Sequence, residues 1–141
     1  MIDSIKESSA YLKDMPNIKK NAEIQPPCPI YRIQRLISGK WKLYLLWLLH
    51  DGKMRFGEIY RKTPGITQSM LTKQLRELER DGFVERHVFT EVPPKVEYSL
   101  TGRGISFMPV MEHLAEWSME NIPEISEACR ENVCDNPYRV K

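Results

Sequence analysis

The sequence is poor in cysteine, with three in 141 residues. Cys28, Cys129 and Cys134 are odd in number and irregular in spacing, which excludes a disulfide framework and fits a reducing cytosol. Cys129 and Cys134 are five apart, a spacing that suits neither a zinc site nor a Cys-x-x-Cys redox pair. Long apolar runs are missing too. The longest, Trp41 to Leu49, is nine residues and contains Lys42, whereas a membrane helix needs about 20. The N-terminus has no basic segment followed by an apolar one, so no signal peptide is expected and the location expected is cytoplasmic. There is no glycine-rich phosphate loop. His50, His87 and His113 are scattered, without a carboxylate pair or a nucleophile–base pattern. No enzyme, metal site or cofactor is therefore expected.

A large charge excess is also lacking, with 21 basic and 19 acidic residues and a net charge of +2. The distribution is more informative. Between Gly52 and Lys95 nine bases face six acids, while Glu112 to Asp135 holds seven acids and one base, Arg130. A mildly basic middle and an acidic C-terminal part make a dipole with one side suited to DNA.

What is present is a run of helical patterns and one hairpin. Residues 1–25 are polar, with a short helix expected around Ile5 to Met15. Pro29 suits a first helical turn, and Ile30, Ile33, Leu36 and Ile37 recur at helical spacing until Ser38-Gly39. Lys40 to Leu49 is apolar nearly all round, as in a central core helix; Trp41 and Trp47 are expected in the core. Phe56, Ile59 and Tyr60 mark a short helix, Phe56 to Lys62, broken by Thr63-Pro64-Gly65. Thr67 is placed to cap the next helix, which runs to Asp81-Gly82. Val84 to Phe89 and Lys95 to Leu100 alternate with period two, giving a two-stranded wing whose tip holds Pro93-Pro94. Thr101 begins a long helix with a wide apolar surface, and Pro109 inside it is expected to kink it or loosen its first turns. Pro123 restarts a short acidic helix, and the last residues form a tail. The fold expected is mainly α with a small two-stranded β-wing.

A helix, a tight turn and a second helix followed by a wing form a DNA-reading unit. On the second helix Ile66, Met70, Leu71, Leu75 and Leu78 are assigned to the core. Ser69, Thr72, Lys73, Arg76 and Arg80 share the opposite face. Hydroxyls, Lys and Arg are the groups that bond phosphates and base edges. Thr67 and Gln68 sit at the N-terminal end, where base contact is usual. Arg55 and Lys95 are added as flanking contacts near the wing. An ordinary solvated helix face would carry the same side chains; the turn before and the wing after set this one apart.

The stretches Cys28-Pro29-Ile30, Ser38-Gly39-Lys40-Trp41, Arg55-Phe56-Gly57-Glu58-Ile59, Pro64-Gly65-Ile66, Leu71 to Leu78, Asp81 to Val84 and Val92 to Thr101 closely resemble the HxlR-type winged helix-turn-helix regulators, relatives of the MarR group. The resemblance covers about residues 28–120. It implies a homodimer paired through terminal helices, double-stranded DNA with pseudo-palindromic sites as partner, and often a response to oxidants or electrophiles. The division that follows is an arm at 1–25, the winged domain with its dimerisation helix at 26–121, and an acidic helix and tail at 122–141.

Two further assignments remain open between a structural and a functional role. Cys28 precedes Pro29 at a helix N-terminus, where the dipole favours thiolate; some members of the family sense oxidants at this motif position, while a cysteine can also merely pack at a helix entry. Met108, Met111, Leu114, Ala115 and Trp117 are candidates for the dimer interface, with the core as the alternative for Trp117. Two competing classes remain. One is a winged-helix protein-interaction module without DNA binding, and the other a MarR-like sensor of small molecules.

Overall fold

The computed structural model describes residues 28–131. The expected arm and short helix before them, Cys134 and the tail lie outside the described residues. The elements in chain order are α1 (Pro29–Ile37), α2 (Lys42–Leu48), a 3-10 turn (Leu49–Asp51), β1 (Met54–Arg55), α3 (Phe56–Arg61), α4 (Gln68–Arg80), β2 (Val84–Phe89), β3 (Lys95–Leu100), α5 (Gly102–Asn121) and α6 (Pro123–Glu131). This is a mainly helical winged helix-turn-helix.

One core serves all of it. Leu45, Leu46 and Leu49 from α2 and its 3-10 extension meet Ile59, Ile66, Leu71, Leu75 and Leu78. Phe83, Val84 and Tyr98 close it from the wing, and Met108 and Met111 from α5. The apolar face of α1 (Ile33, Leu36, Ile37) packs against this cluster half-buried.

The sheet is antiparallel and has three strands in the order β1-β3-β2. The wing expected from the alternation is there, with Val84 opposite Leu100 and Phe89 opposite Lys95. The third strand corrects the two-stranded expectation: Met54 pairs with Tyr98 and Arg55 with Glu97. Two residues cannot display a period, so β1 left no trace in the pattern. On the inner face Val84 and Tyr98 are buried, whereas Val88 towards the tip is 54% exposed.

Several boundaries shift. The second helix begins at Lys42 rather than Lys40, with Trp41 as its N-cap residue, and tightens into the 3-10 turn at Leu49. Trp41 and Trp47 are half-buried at the edge of the core, and the Trp47 ring stacks on His50 at 5.4 Å between centroids. Met70 is corrected from core to surface, being 39% exposed. Its place is taken by Gln74, buried one turn on, whose Nε2 lies 3.6 Å from the Met70 sulfur.

The long helix α5 runs from Gly102 through Pro109 to Asn121 with Thr101 as its cap: the Thr101 hydroxyl oxygen accepts from the Gly104 N–H at 3.1 Å. Met108 and Met111 are buried in the protomer's own core, which corrects their assignment to a dimer interface. They share the α5 face of Gly104, whose missing side chain lets the helix approach the wing. A β-carbon there would collide with the Phe83 carbonyl oxygen. Ala115 on the same face is half-buried, while Leu114 and Trp117 point outwards, 51% and 56% exposed.

Candidate DNA-recognition surface

The turn between α3 and α4 is built by local hydrogen bonds. The buried Thr63 hydroxyl donates to the Ile59 carbonyl at 2.7 Å, closing the end of α3. Gly65 takes φ +89°, a region open to glycine at little cost. From α2 the Tyr44 hydroxyl donates to the Lys62 carbonyl at 2.6 Å, tying the turn to the core helix. Thr67 then caps α4 as expected, its Oγ1 accepting from the Met70 N–H at 3.1 Å.

The far end of α4 is equally well fixed. The Phe83 N–H bonds to the Leu78 carbonyl and the Gly82 N–H to the Glu79 carbonyl, at 2.9 and 3.0 Å. With Gly82 at φ +81° this is a Schellman termination. The start of α5 clasps it. The Thr101 hydroxyl donates to the Gly82 carbonyl at 2.5 Å and the Arg103 guanidinium to the Asp81 carbonyl at 2.7 Å.

Between these fixed ends α4 presents one polar face. Thr67, Gln68, Ser69, Lys73, Arg76 and Arg80 are exposed and Thr72 is half-buried. Ser69, Thr72, Lys73, Arg76, Glu77 and Arg80 line one shallow trough. Among the described residues Lys73 and Arg76 enter no ion pair. Arg80 has its Nε 3.4 Å from the Asp81 carboxylate. The Thr72 hydroxyl donates back to the Gln68 carbonyl at 2.9 Å.

Arg55 and Lys95 come together in a second trough at the tip of the wing, with Phe56, Val92, Pro93 and Pro94. Their electrostatics differ. Arg55 is exposed. Lys95 is three-quarters covered: its Nζ lies 2.7 Å from Glu97 and 5.0 Å from the centre of the Phe89 ring. Lys53 approaches the same carboxylate at 3.9 Å. The Lys95 hydrogen bond, with Lys53 and Arg55 nearby, holds the Glu97 carboxyl below the usual carboxylate range.

Sequence reasoning missed two residues of this surface, Glu77 and Lys42. Lys42 is 4% exposed on α2, and its Nζ lies 2.7 Å from Glu77 Oε2. That hydrogen bond outweighs partial burial and keeps the Glu77 carboxyl below its ordinary value. The signal was available: Lys42 is the one charge in the most apolar run of the chain, and a buried lysine needs a partner. Cys28 is exposed, at the N-cap of α1, with no side-chain bond to the helix. His87 stands on the wing 3.3 Å from Glu85 and is half-exposed, as a solvated histidine would be.

The helix-turn-helix, the wing against it and the polar outer face of α4 define the class: a winged helix-turn-helix transcriptional regulator. The chain belongs to the HxlR-like helix-turn-helix family, whose model matches residues 36–126. It is 46% identical over 121 residues to the HTH-type transcriptional regulator YybR of Bacillus subtilis (strain 168), covering 86% of this chain and 94% of that one. It is 54% identical over 90 residues to YdeP of the same organism, covering 64% and 70%. Among solved structures it is similar to the redox regulator HypR in its reduced form, with 47% identity, a TM-score of 0.66, and 71% and 99% of the two chains covered. The reduced form of the regulator YodB from B. subtilis is similar at 35% identity and a TM-score of 0.61, covering 67% and 94%. The family is one of transcriptional regulators, not enzymes. Among the described residues no helix is long and apolar enough to cross a membrane.

Proposed function

We propose that two copies of this chain bind a pseudo-palindromic duplex, each laying α4 in a major groove. The observation that carries this reading is the outer face of α4, where Lys73 and Arg76 stand exposed and, among the described residues, without ion-pair partners between two fixed helix ends. In this reading Thr67, Gln68 and Ser69 approach base edges. Thr72, Lys73, Arg76 and Arg80 hold phosphates or guanine, and Arg55 contacts the flanking backbone. Lys95, already engaged by Glu97 and Phe89, contributes less than an unpaired lysine would.

Pairing is proposed through α5. Val110, Leu114 and Trp117 form one exposed apolar stripe, 51–56% accessible, on the side away from Met108 and Met111. Burying such a stripe against its copy is the way a C₂ dimer is built. It sets the two recognition helices about one DNA turn apart, roughly 34 Å. We further propose that oxidants act through Cys28, supported by its exposure beside the α1 entry and by the similarity to a redox regulator solved in reduced and oxidised forms.

Selection of genomic fragments on the immobilised protein, with and without diamide, tests the whole reading. Inverted repeats with half-sites about 10 base pairs apart are the expected product. Diamide is expected to change the yield for the parent but not for Cys28→Ser. Enrichment no better than for random DNA at about 150 mM salt favours a protein-interaction module instead. An unaltered diamide response in Cys28→Ser removes Cys28 from sensing.

A further inference from the structure

The DNA-facing trough of α4 contains one acid among its cations. Glu77 lies four residues after Lys73 and three before Arg80, and lines the same trough as both. On a helix these are the spacings at which opposite charges meet. An unengaged carboxylate at this position would draw Lys73 to itself and set a negative charge beside the phosphates.

Glu77 is engaged from beneath. Lys42 rises from α2 with its Nζ 2.7 Å from Glu77 Oε2, its own side chain 5% exposed against 24% for Glu77. This charge-assisted bond, screened from water on one side, is stronger than an exposed pair along the helix surface. The lowered carboxyl of Glu77, caused first by that bond, agrees with the geometry.

Stability alone gives poor reason for the arrangement. Lys42 is followed by Leu43, Leu45, Leu46, Trp47, Leu48 and Leu49, all packed in or against the core. Replacing a buried ion pair by apolar side chains is often neutral or stabilising.

We propose that Lys42 is a positioning residue for DNA binding: by holding the Glu77 carboxylate from the core side, it leaves Lys73 to the phosphates. This rests on the reading of α4 as the DNA-contacting helix. Lys42 itself touches no DNA; it decides how many cations of the face are available.

The test is the salt dependence of binding by the whole protein, measured by fluorescence anisotropy on a selected duplex. The parent, Lys42→Met and Lys42→Met/Glu77→Gln are compared from about 50 to 300 mM KCl, with circular dichroism to verify folding. Each phosphate contact contributes about 0.9 to the slope of log affinity against log salt. In Lys42→Met the slope is expected to shrink by about one and affinity to fall about tenfold at low salt. The double variant, having no carboxylate to release, is expected to recover both. A folded Lys42→Met with the parent's slope and affinity overturns the proposal, as does a folded double variant no better than the single one. Where Lys42→Met does not fold, the double variant decides alone: the parent's slope upholds the proposal and a reduced slope overturns it. A parent protein that binds no duplex specifically defeats the DNA reading itself, which is a separate and recognisable result.

Discussion

The Phe83 carbonyl oxygen occupies the space that a β-carbon on Gly104 would need. This contact seats the first turn of α5 on the end of the α4–wing connection. Gly104→Ala must push backbone away from backbone, a displacement of the overpacking kind that costs roughly 1–3 kcal/mol. A fall in melting temperature of roughly 5–15 °C is expected. Gly102, two residues earlier, has open space around it, and Gly102→Ala is expected to be neutral or mildly stabilising. Calorimetry on the two variants checks the contrast; equal melting points would show that the α5 contact is not tight.

Arg76 stands mid-helix on the outer face of α4. If it reads a base, Arg76→Ala is expected to weaken the selected site by roughly 1–3 kcal/mol and relax preference at one position. If it holds a phosphate, all sequences weaken alike and the salt slope falls by about one. Titration against selected and scrambled duplexes separates the two. Unchanged affinity for both would remove Arg76 from the surface.

Trp117 is 56% exposed on the outer stripe of α5, while Met111 on the inner side is buried. Trp117→Glu is therefore expected to yield a folded monomer, seen by sedimentation velocity, with most specific DNA affinity lost. Met111→Glu is expected to unfold the chain. A Trp117→Glu protein of unchanged mass would place the dimer contact elsewhere.

Glu77 and Glu97 both have carboxyls held low, first by hydrogen bonds from Lys42 and Lys95. A carboxyl lowered in the folded state contributes stability above its unfolded value, about 4.3, and that contribution fades as pH falls through the folded value. Urea unfolding is expected to show stability level from neutral pH to about pH 5 as far as these two groups are concerned, then declining below about 4.3. Lys42→Met/Glu77→Gln is expected to decline less steeply there. An identical acid limb in parent and double variant would deny Glu77 a share.

The parts legible in the sequence were those encoded locally. The Thr63–Gly65 turn, the Thr67 cap and the alternating wing strands each rest on side chains within a few residues of the structure they specify. β1 was hidden because two residues, Met54 and Arg55, carry no period; it exists only through β3. The dimer candidates divided because a wide apolar surface records what is hidden from water and not which chain hides it. Met108 and Met111 turn to their own core, Leu114 and Trp117 away from it. Lys42 and Gln74 were missed for a related reason: a polar residue on a buried face is explained only by its partner, and Glu77 lies 35 positions along the chain.

The clasp of Thr101 and Arg103 on the carbonyls of Gly82 and Asp81 makes α4 and α5 a single jointed piece. The 20 residues of α5 reach about 30 Å at 1.5 Å per residue. In the proposed dimer it is a lever arm, with the stripe from Val110 to Trp117 in its second half and the reading helix at its start. In that dimer, a tilt of about ten degrees of each α5 about the stripe would swing its α4 by roughly 3 Å, about one base-pair step. Half-site spacing would become a reading of that angle, and any chemistry that alters the packing of the pair would change which operators fit.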